Sequence, residues 1–158
     1  MIQTGIIAVT HDLTTAGWHA LGGPALLSAA SQHGLRVNAE ALVPPMPDQL
    51  TATLLDFARQ GCQVILVLGG NGTGPDDITP QTCRALAGCE LPAFGETIRR
   101  HLHPESPDFL DRSLAVIMEN SLVLALPRST ALGLTALTQL APAVHRAVQQ
   151  LASRRAAV

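Results

Sequence analysis

Gly69-Gly70-Asn71-Gly72 stands directly behind an apolar run, Gln63 to Leu68, and Asp77 follows a few residues on. Glycines in that position let a backbone pass close to a ligand and leave several peptide N–H groups facing an anion. A carboxylate just beyond them can hold a magnesium ion or a hydroxyl. The spacing is not that of a P-loop, because no Gly-Lys-Ser/Thr follows. It is not the dinucleotide fingerprint either, because no helix opens at the required place. A plain glycine-rich turn between strand and helix would use the same residues.

A second carboxylate, Asp48, follows the preceding strand candidate. In an open parallel sheet, Asp48 and Asp77 both fall at the carboxyl ends of strands, where ligands bind. Two carboxylates converging there suit a magnesium-bound nucleotide and transferring phosphates. Taken alone, Asp48 reads as a helix cap or first-turn acid. Other candidates are bland. His11 and His19 read as loop residues, and His101-x-His103 lacks a third metal ligand. Cys62, Cys83 and Cys89 read as buried small hydrophobes, Trp18 as a packing residue and Arg99-Arg100 as a solvated helix face.

Alternating strand and helix patterns must position these residues. Ile6 to Thr10, Leu35 to Leu42 and Gln63 to Leu68 read as strands, the last without polar alternation, as in a strand covered on both faces. The segment from Asp12 to Gly23 reads as a loop, followed by a helix from Pro24 to about His33. A further helix starts at Asp48 and closes at Gly61, and Thr79 is expected to cap a short one with Pro80 behind it. Gly95 to about Leu102 is a helix candidate, and His103 to Asp108 a loop. Leu114 to Met118 and Leu122 to Leu126, separated by Glu119-Asn120-Ser121, read as a hairpin. The last helix runs to about Leu151, with Pro142 expected to kink or interrupt it. This order predicts a parallel sheet of βαβ units. One domain is expected over residues 1–152, with a flexible tail at 153–158.

Composition narrows the chemistry. The chain has 158 residues, 47% hydrophobic and 14% charged, with a net charge of −2, which excludes disorder. No nucleic-acid or membrane partner is expected at that charge and a pI near 6.3. All ten basic residues are arginine, so a Walker lysine, Schiff-base chemistry and an amine base are excluded. Three cysteines without close spacing fit a reduced, cytoplasmic setting.

The motifs in order resemble the MoaB/Mog family of molybdenum-cofactor biosynthesis proteins. Pro47-Asp48, Leu68-Gly69-Gly70-Asn71-Gly72 and Asp77-Ile78-Thr79-Pro80 are similar to its Pro-Asp, Thr-Gly-Gly-Thr-Gly and Asp-Val-Thr-Pro. Phe94-Gly95-Glu96 is similar to its Phe-Gly-Glu. Leu110-Asp111-Arg112 and Ala125-Leu126-Pro127-Arg128-Ser129-Thr130 are similar to its Leu-Ser-Arg and Ala-Leu-Pro-Gly-Ser-Thr. The resemblance implies a three-layer α/β/α fold with a mainly parallel sheet and a hairpin. It also implies molybdopterin as ligand, Mg2+ and ATP as cofactors, and adenylylation of molybdopterin in active members. By position, Asp48 and Asp77 would be catalytic and magnesium-linked. Gly69, Gly70, Asn71 and Gly72 would cradle phosphate, and Glu96 and Ser129 would line the pterin or nucleotide pocket.

Ala20, Leu68, Asn71, Asp111 and Arg128 depart from that pattern. They favour an alternative in which the chain is a non-catalytic pterin- or nucleotide-binding member. The resemblance also implies a homotrimer or hexamer. The high apolar fraction agrees with association, with the Leu114 to Leu126 hairpin and the segment around Phe94 as expected interfaces.

Overall fold

The computed structural model describes residues 1–157, and Val158, the end of the expected tail, lies outside them. Six strands form one sheet in the order β2-β1-β3-β6-β5-β4. They are β1 (Ile2–Val9), β2 (Leu35–Val43), β3 (Val64–Leu68), β4 (Cys89–Glu90), β5 (Leu114–Met118) and β6 (Ser121–Leu126). The run β2-β1-β3-β6 is parallel, whereas β5 pairs antiparallel with both β6 and β4.

The helices are α1 (Thr15–Ala20), α2 (Gly23–Gln32), α3 (Pro47–Arg59), α4 (Thr79–Leu86), α5 (Pro92–Arg99) and α6 (Thr130–Ala156). Side chains of α2, α5 and α6 pack on one sheet face around Leu66, Leu122 and Leu124. Those of α3 and α4 cover the other, around Ile65, Val67 and Val123. The two successive crossovers, through α2 and then α3, travel in opposite directions along the sheet. Connections of one hand therefore land on opposite faces. β6 shows the two-residue period directly: Leu122, Leu124 and Leu126 enter one core and Val123 and Ala125 the other. The three-layer α/β/α fold with its hairpin is thus the observed one.

Several local expectations change. β1 begins at Ile2, because Ile2 to Val9 all find partners on β2 and the Thr4 hydroxyl satisfies the Ile2 carbonyl internally. The first loop contains α1, whose Trp18 ring lies against Gly23 and the core. The fifth helix starts at Pro92 rather than Gly95, since Pro92 suits a first turn. Pro142 sits inside α6 without dividing it, and the helix continues to Ala156. Cys62 and Cys83 are buried as expected, but Cys89, on the short edge strand β4, is exposed. Phe94 and most of the hairpin's side chains are buried in the chain's own core. Among the described residues the exposed large apolar side chains are Leu13, Met46, Phe109 and Leu110, with Met1 at the terminus.

Candidate functional site

Strands β1, β3 and β6 are neighbours running the same way, so the loops at their carboxyl ends emerge side by side. The β3 loop carries Gly69 to Asp77, and the β6 loop carries Pro127-Arg128-Ser129. Asn71 bridges them: it is buried, and its Nδ2 donates to the Leu126 carbonyl at 2.7 Å. Its Oδ1 is buried without a protein partner among the described residues.

Gly69 and Gly70 have φ of +85° and +74°, a region that L side chains rarely adopt. A Cβ at Gly69 would lie 2.5 Å from the Val9 carbonyl oxygen, and one at Gly70 would collide with the Thr79 hydroxyl. The protein's own atoms, not a ligand alone, therefore demand these glycines. Thr79 is fully buried and does not cap α4, whose N-cap is Ile78. Its hydroxyl donates instead to the Gly69 carbonyl at 2.8 Å, which turns the chain from β3 toward the helix.

The loop then folds over Asp77. Its Oδ2 accepts from the Gly74 N–H at 2.8 Å, and a Cβ on Gly72 would lie 2.6 Å from that oxygen. Arg112, just before β5, closes the loop from outside. Its backbone N–H donates to the Asn71 carbonyl at 2.9 Å, its Nε to the Gly72 carbonyl at 2.7 Å and its Nη2 to the Asp77 carbonyl at 2.8 Å. Neighbouring Asp111 ties down the other loop. Its Oδ1 accepts from the Ser113 N–H and hydroxyl, and its Oδ2 from the Arg128 N–H at 3.3 Å.

These loops enclose a cavity of about 490 Å3. Gly72, Thr73, Gly74 and Asp77 form one wall, Arg128 and Ser129 another, and Asp108, Leu110 and Asp111 a third. Ser129 is also the N-cap of α6, its hydroxyl oxygen accepting from the Leu132 N–H at 3.4 Å. The structure thus brings together Gly72, Asp77 and Ser129. Gly69, Gly70 and Asn71 support the wall from behind. Asp48 is exposed on the first turn of α3, and Glu96 is exposed on α5; neither lines this cavity. A second hollow of about 510 Å3, walled by Leu13, Trp18, Leu42 and Glu40 among others, lies beside β2 and contains none of the predicted residues. Between the two runs the β1 loop, where His11 Nε2 meets Asp76 Oδ2 at 2.9 Å. In the same loop Asp12 is held below its ordinary carboxylate range by hydrogen bonds from the Thr14 hydroxyl and backbone N–H.

Arg112, Asp108 and the structural use of Thr79 have no counterpart among the predicted site residues. The only sequence signal for Arg112 was its place in Leu110-Asp111-Arg112, beside a loop it meets about forty residues away. For magnesium, no group of three His, Cys, Asp or Glu side chains converges among the described residues. Asp77 Oδ1 has no protein partner among them. That donor set fits an ion carried in on phosphate oxygens and water, held by one carboxylate, rather than one in a protein cage. Among the described residues, no helix is long and apolar enough to cross a membrane.

Comparison with known proteins bears on this geometry. A family described as "Probable molybdopterin binding domain" matches residues 5–146. The molybdopterin adenylyltransferase of Haemophilus influenzae is 34% identical over 134 residues, which are 80% of this chain and 66% of that protein. The enzyme of the same name from Escherichia coli K12 is 28% identical over 131 residues, 80% of this chain and 67% of its own length. The chain therefore spans about two thirds of the length of these relatives. Among solved structures, the molybdopterin biosynthesis enzyme MoaB of Thermus thermophilus superposes with a TM-score of 0.81 at 27% identity, covering 96% of each chain. A molybdenum cofactor biosynthesis protein B shares the fold with a TM-score of 0.86 at 20% identity, again over 96% of each chain.

Proposed function

The chain belongs to the molybdopterin-binding domain family of molybdenum-cofactor biosynthesis, and on that premise we propose that it binds molybdopterin with Mg-ATP and transfers the adenylyl group to the pterin ligand. The observation that carries this reading is the convergence of Gly72 and Asp77 from the β3 loop with Ser129 from the β6 loop on one cavity at the carboxyl edge of the sheet. That edge is where ligands bind in open α/β sheets.

In this reaction an oxygen of the acceptor attacks the α-phosphorus of ATP. The bond from that phosphorus to the bridging oxygen breaks, and pyrophosphate leaves. The chain's part is binding and orientation. Peptide N–H groups of the β3 loop hold phosphoryl oxygens, Ser129 offers a hydroxyl at the start of α6, and Arg128 puts a cation at the rim. Asp77 keeps one carboxylate oxygen for a magnesium ion, which when bound spreads the phosphate charge. The proposal keeps Asp48 as a catalytic, magnesium-linked carboxylate and Glu96 as a residue of the pterin or nucleotide pocket, although both stand outside this cavity. A homotrimer or hexamer is the assembly that accompanies this reading.

A second reading, binding without turnover, is favoured by Asp111 and Arg128, which both line the cavity. An adenylyl-transfer assay with molybdopterin, ATP and Mg2+ decides between them. Adenylylated pterin with matching pyrophosphate release supports the enzyme. Saturable Mg-ATP binding without product supports the binding protein, and failure to bind either ligand overturns both.

A further inference from the structure

We infer that Arg112 is a positioning residue that makes the Asn71–Ile78 loop a receptor for phosphoryl oxygens, although it does not line the cavity itself. The inference deepens the function proposed above and rests on it for the identity of the ligand.

A peptide unit is planar and trans, so its carbonyl and its N–H point in opposite directions. Arg112 collects the carbonyls of Asn71, Gly72 and Asp77 through its backbone N–H, Nε and Nη2. The N–H groups on the far sides of those three peptide units belong to Gly72, Thr73 and Ile78. None of the three donates a hydrogen bond to a protein group among the described residues. Three other donors of this stretch, by contrast, are spent inside the loop: the Asp77 N–H on Gly74, the Thr79 N–H on Gly70 and the Gly74 N–H on Asp77 Oδ2.

Gly72, Thr73 and Asp77 line the cavity and Arg112 does not, so the loop stands between the guanidinium and the cavity. The Asn71 and Gly72 carbonyls therefore face away from the space that a ligand fills, and the successive Gly72 and Thr73 N–H groups of the same peptide units face the other way, while Ile78 stands outside the cavity lining. Successive N–H groups presented in this manner form an anion-binding concavity. The guanidinium adds a second effect. It offsets the partial negative charge of carbonyl oxygens that would otherwise be free to rotate toward an anion. Lysine cannot substitute fully, because its ammonium is a point donor and lacks the fixed fork that reaches Gly72 and Asp77 together.

The test compares wild type with Arg112→Lys and Arg112→Gln by calorimetry, with inorganic pyrophosphate, Mg-ATP and adenosine as separate probes. Melting temperature is followed in parallel. The expected result is a loss of about 10–100-fold in affinity for pyrophosphate and Mg-ATP, the scale of removing an orienting partner. Arg112→Lys should retain more than Arg112→Gln, and any adenosine affinity should stay within about twofold of wild type. Equal losses for adenosine and pyrophosphate would mean a general collapse of the site and overturn the assignment. So would unchanged pyrophosphate affinity in a folded Arg112→Gln protein. Pyrophosphate binding that depends on Arg112, in a protein that never adenylylates the pterin, would uphold the loop assignment and reject the enzyme reading alone.

Discussion

The hydroxyl of Thr79 donates to the carbonyl of Gly69 at 2.8 Å, joining the end of β3 to the start of α4 inside the fully buried core. Thr79→Val keeps the shape and removes the donor, leaving a buried carbonyl unsatisfied. The expected loss is about 1–3 kcal/mol of stability. Thr79→Ser keeps the hydroxyl and should lose less. Urea unfolding of both variants checks this, and equal losses would show that the methyl, not the hydroxyl, matters.

Gly70 and Gly72 should fail differently. Gly70→Ala places a Cβ against Thr79 at a φ of +74°. The strain is expected to cost about 1–3 kcal/mol. At Gly72 the nearest obstacle is the Asp77 carboxylate. Gly72→Ala should displace that carboxylate and weaken Mg-ATP binding while stability changes by about 0.5 kcal/mol or less. Paired unfolding and calorimetry measurements separate the two.

Asp77→Asn and Asp48→Asn should separate as well. Asp77 lines the cavity, and its loss is expected to reduce magnesium-dependent ATP affinity about 10–100-fold. Asp48 is exposed on the first turn of α3, where a negative charge favours the helix by about 0.3–1 kcal/mol. If Asp48→Asn changes only stability and leaves binding and turnover intact, its catalytic assignment is withdrawn.

Burial pushes the Cys83 thiol up to about 12, and burial raises Cys62 as well. At pH 8 a maleimide should label exposed Cys89 alone, with the other two reacting only after unfolding. Cys83 is the raised case of linkage. Folding holds its proton more tightly, so its contribution is complete below the unfolded value near 9 and is lost as pH rises toward about 12. Unfolding measured above pH 9 should show a decline that Cys83→Ala reduces. An unchanged slope in that variant would refute the link.

Leu110, 63% exposed, lines the cavity, and its chain neighbour Phe109, 45% exposed, is likewise outside the core. With Leu13 and Met46 they are exposed large apolar side chains that a trimer could cover. Light scattering after size exclusion should give about three or six times the 16.5 kDa chain mass. Leu110→Glu should shift that mass toward the monomer. A monomer in the wild type at micromolar concentration would remove the assembly from the proposal.

What the sequence determined by itself is what neighbouring residues decide. The unbroken Val64–Leu68 run can only be a strand covered on both faces, and Glu119-Asn120 between two apolar runs makes the observed hairpin. Glycines at 69 and 70, after that strand, already required a special backbone. These are local matters of period and conformational freedom, carried by adjacent side chains.

Tertiary structure decided which distant groups meet. Nothing near Gly72 in the chain indicates that Arg112 will hold its carbonyl, and nothing near Asp111 indicates Arg128. Those contacts exist because β3, β5 and β6 pair in one sheet and bring their loops to one edge. Asp48 and Asp77 show the same limit. Both follow parallel strands, yet only Asp77 lines the cavity, because β1 lies between β2 and β3. Thr79 had the type and spacing of a cap, and burial beside Gly69 gave its hydroxyl a different acceptor. Strand order and burial are set by the packing of the whole chain, which no local spacing contains.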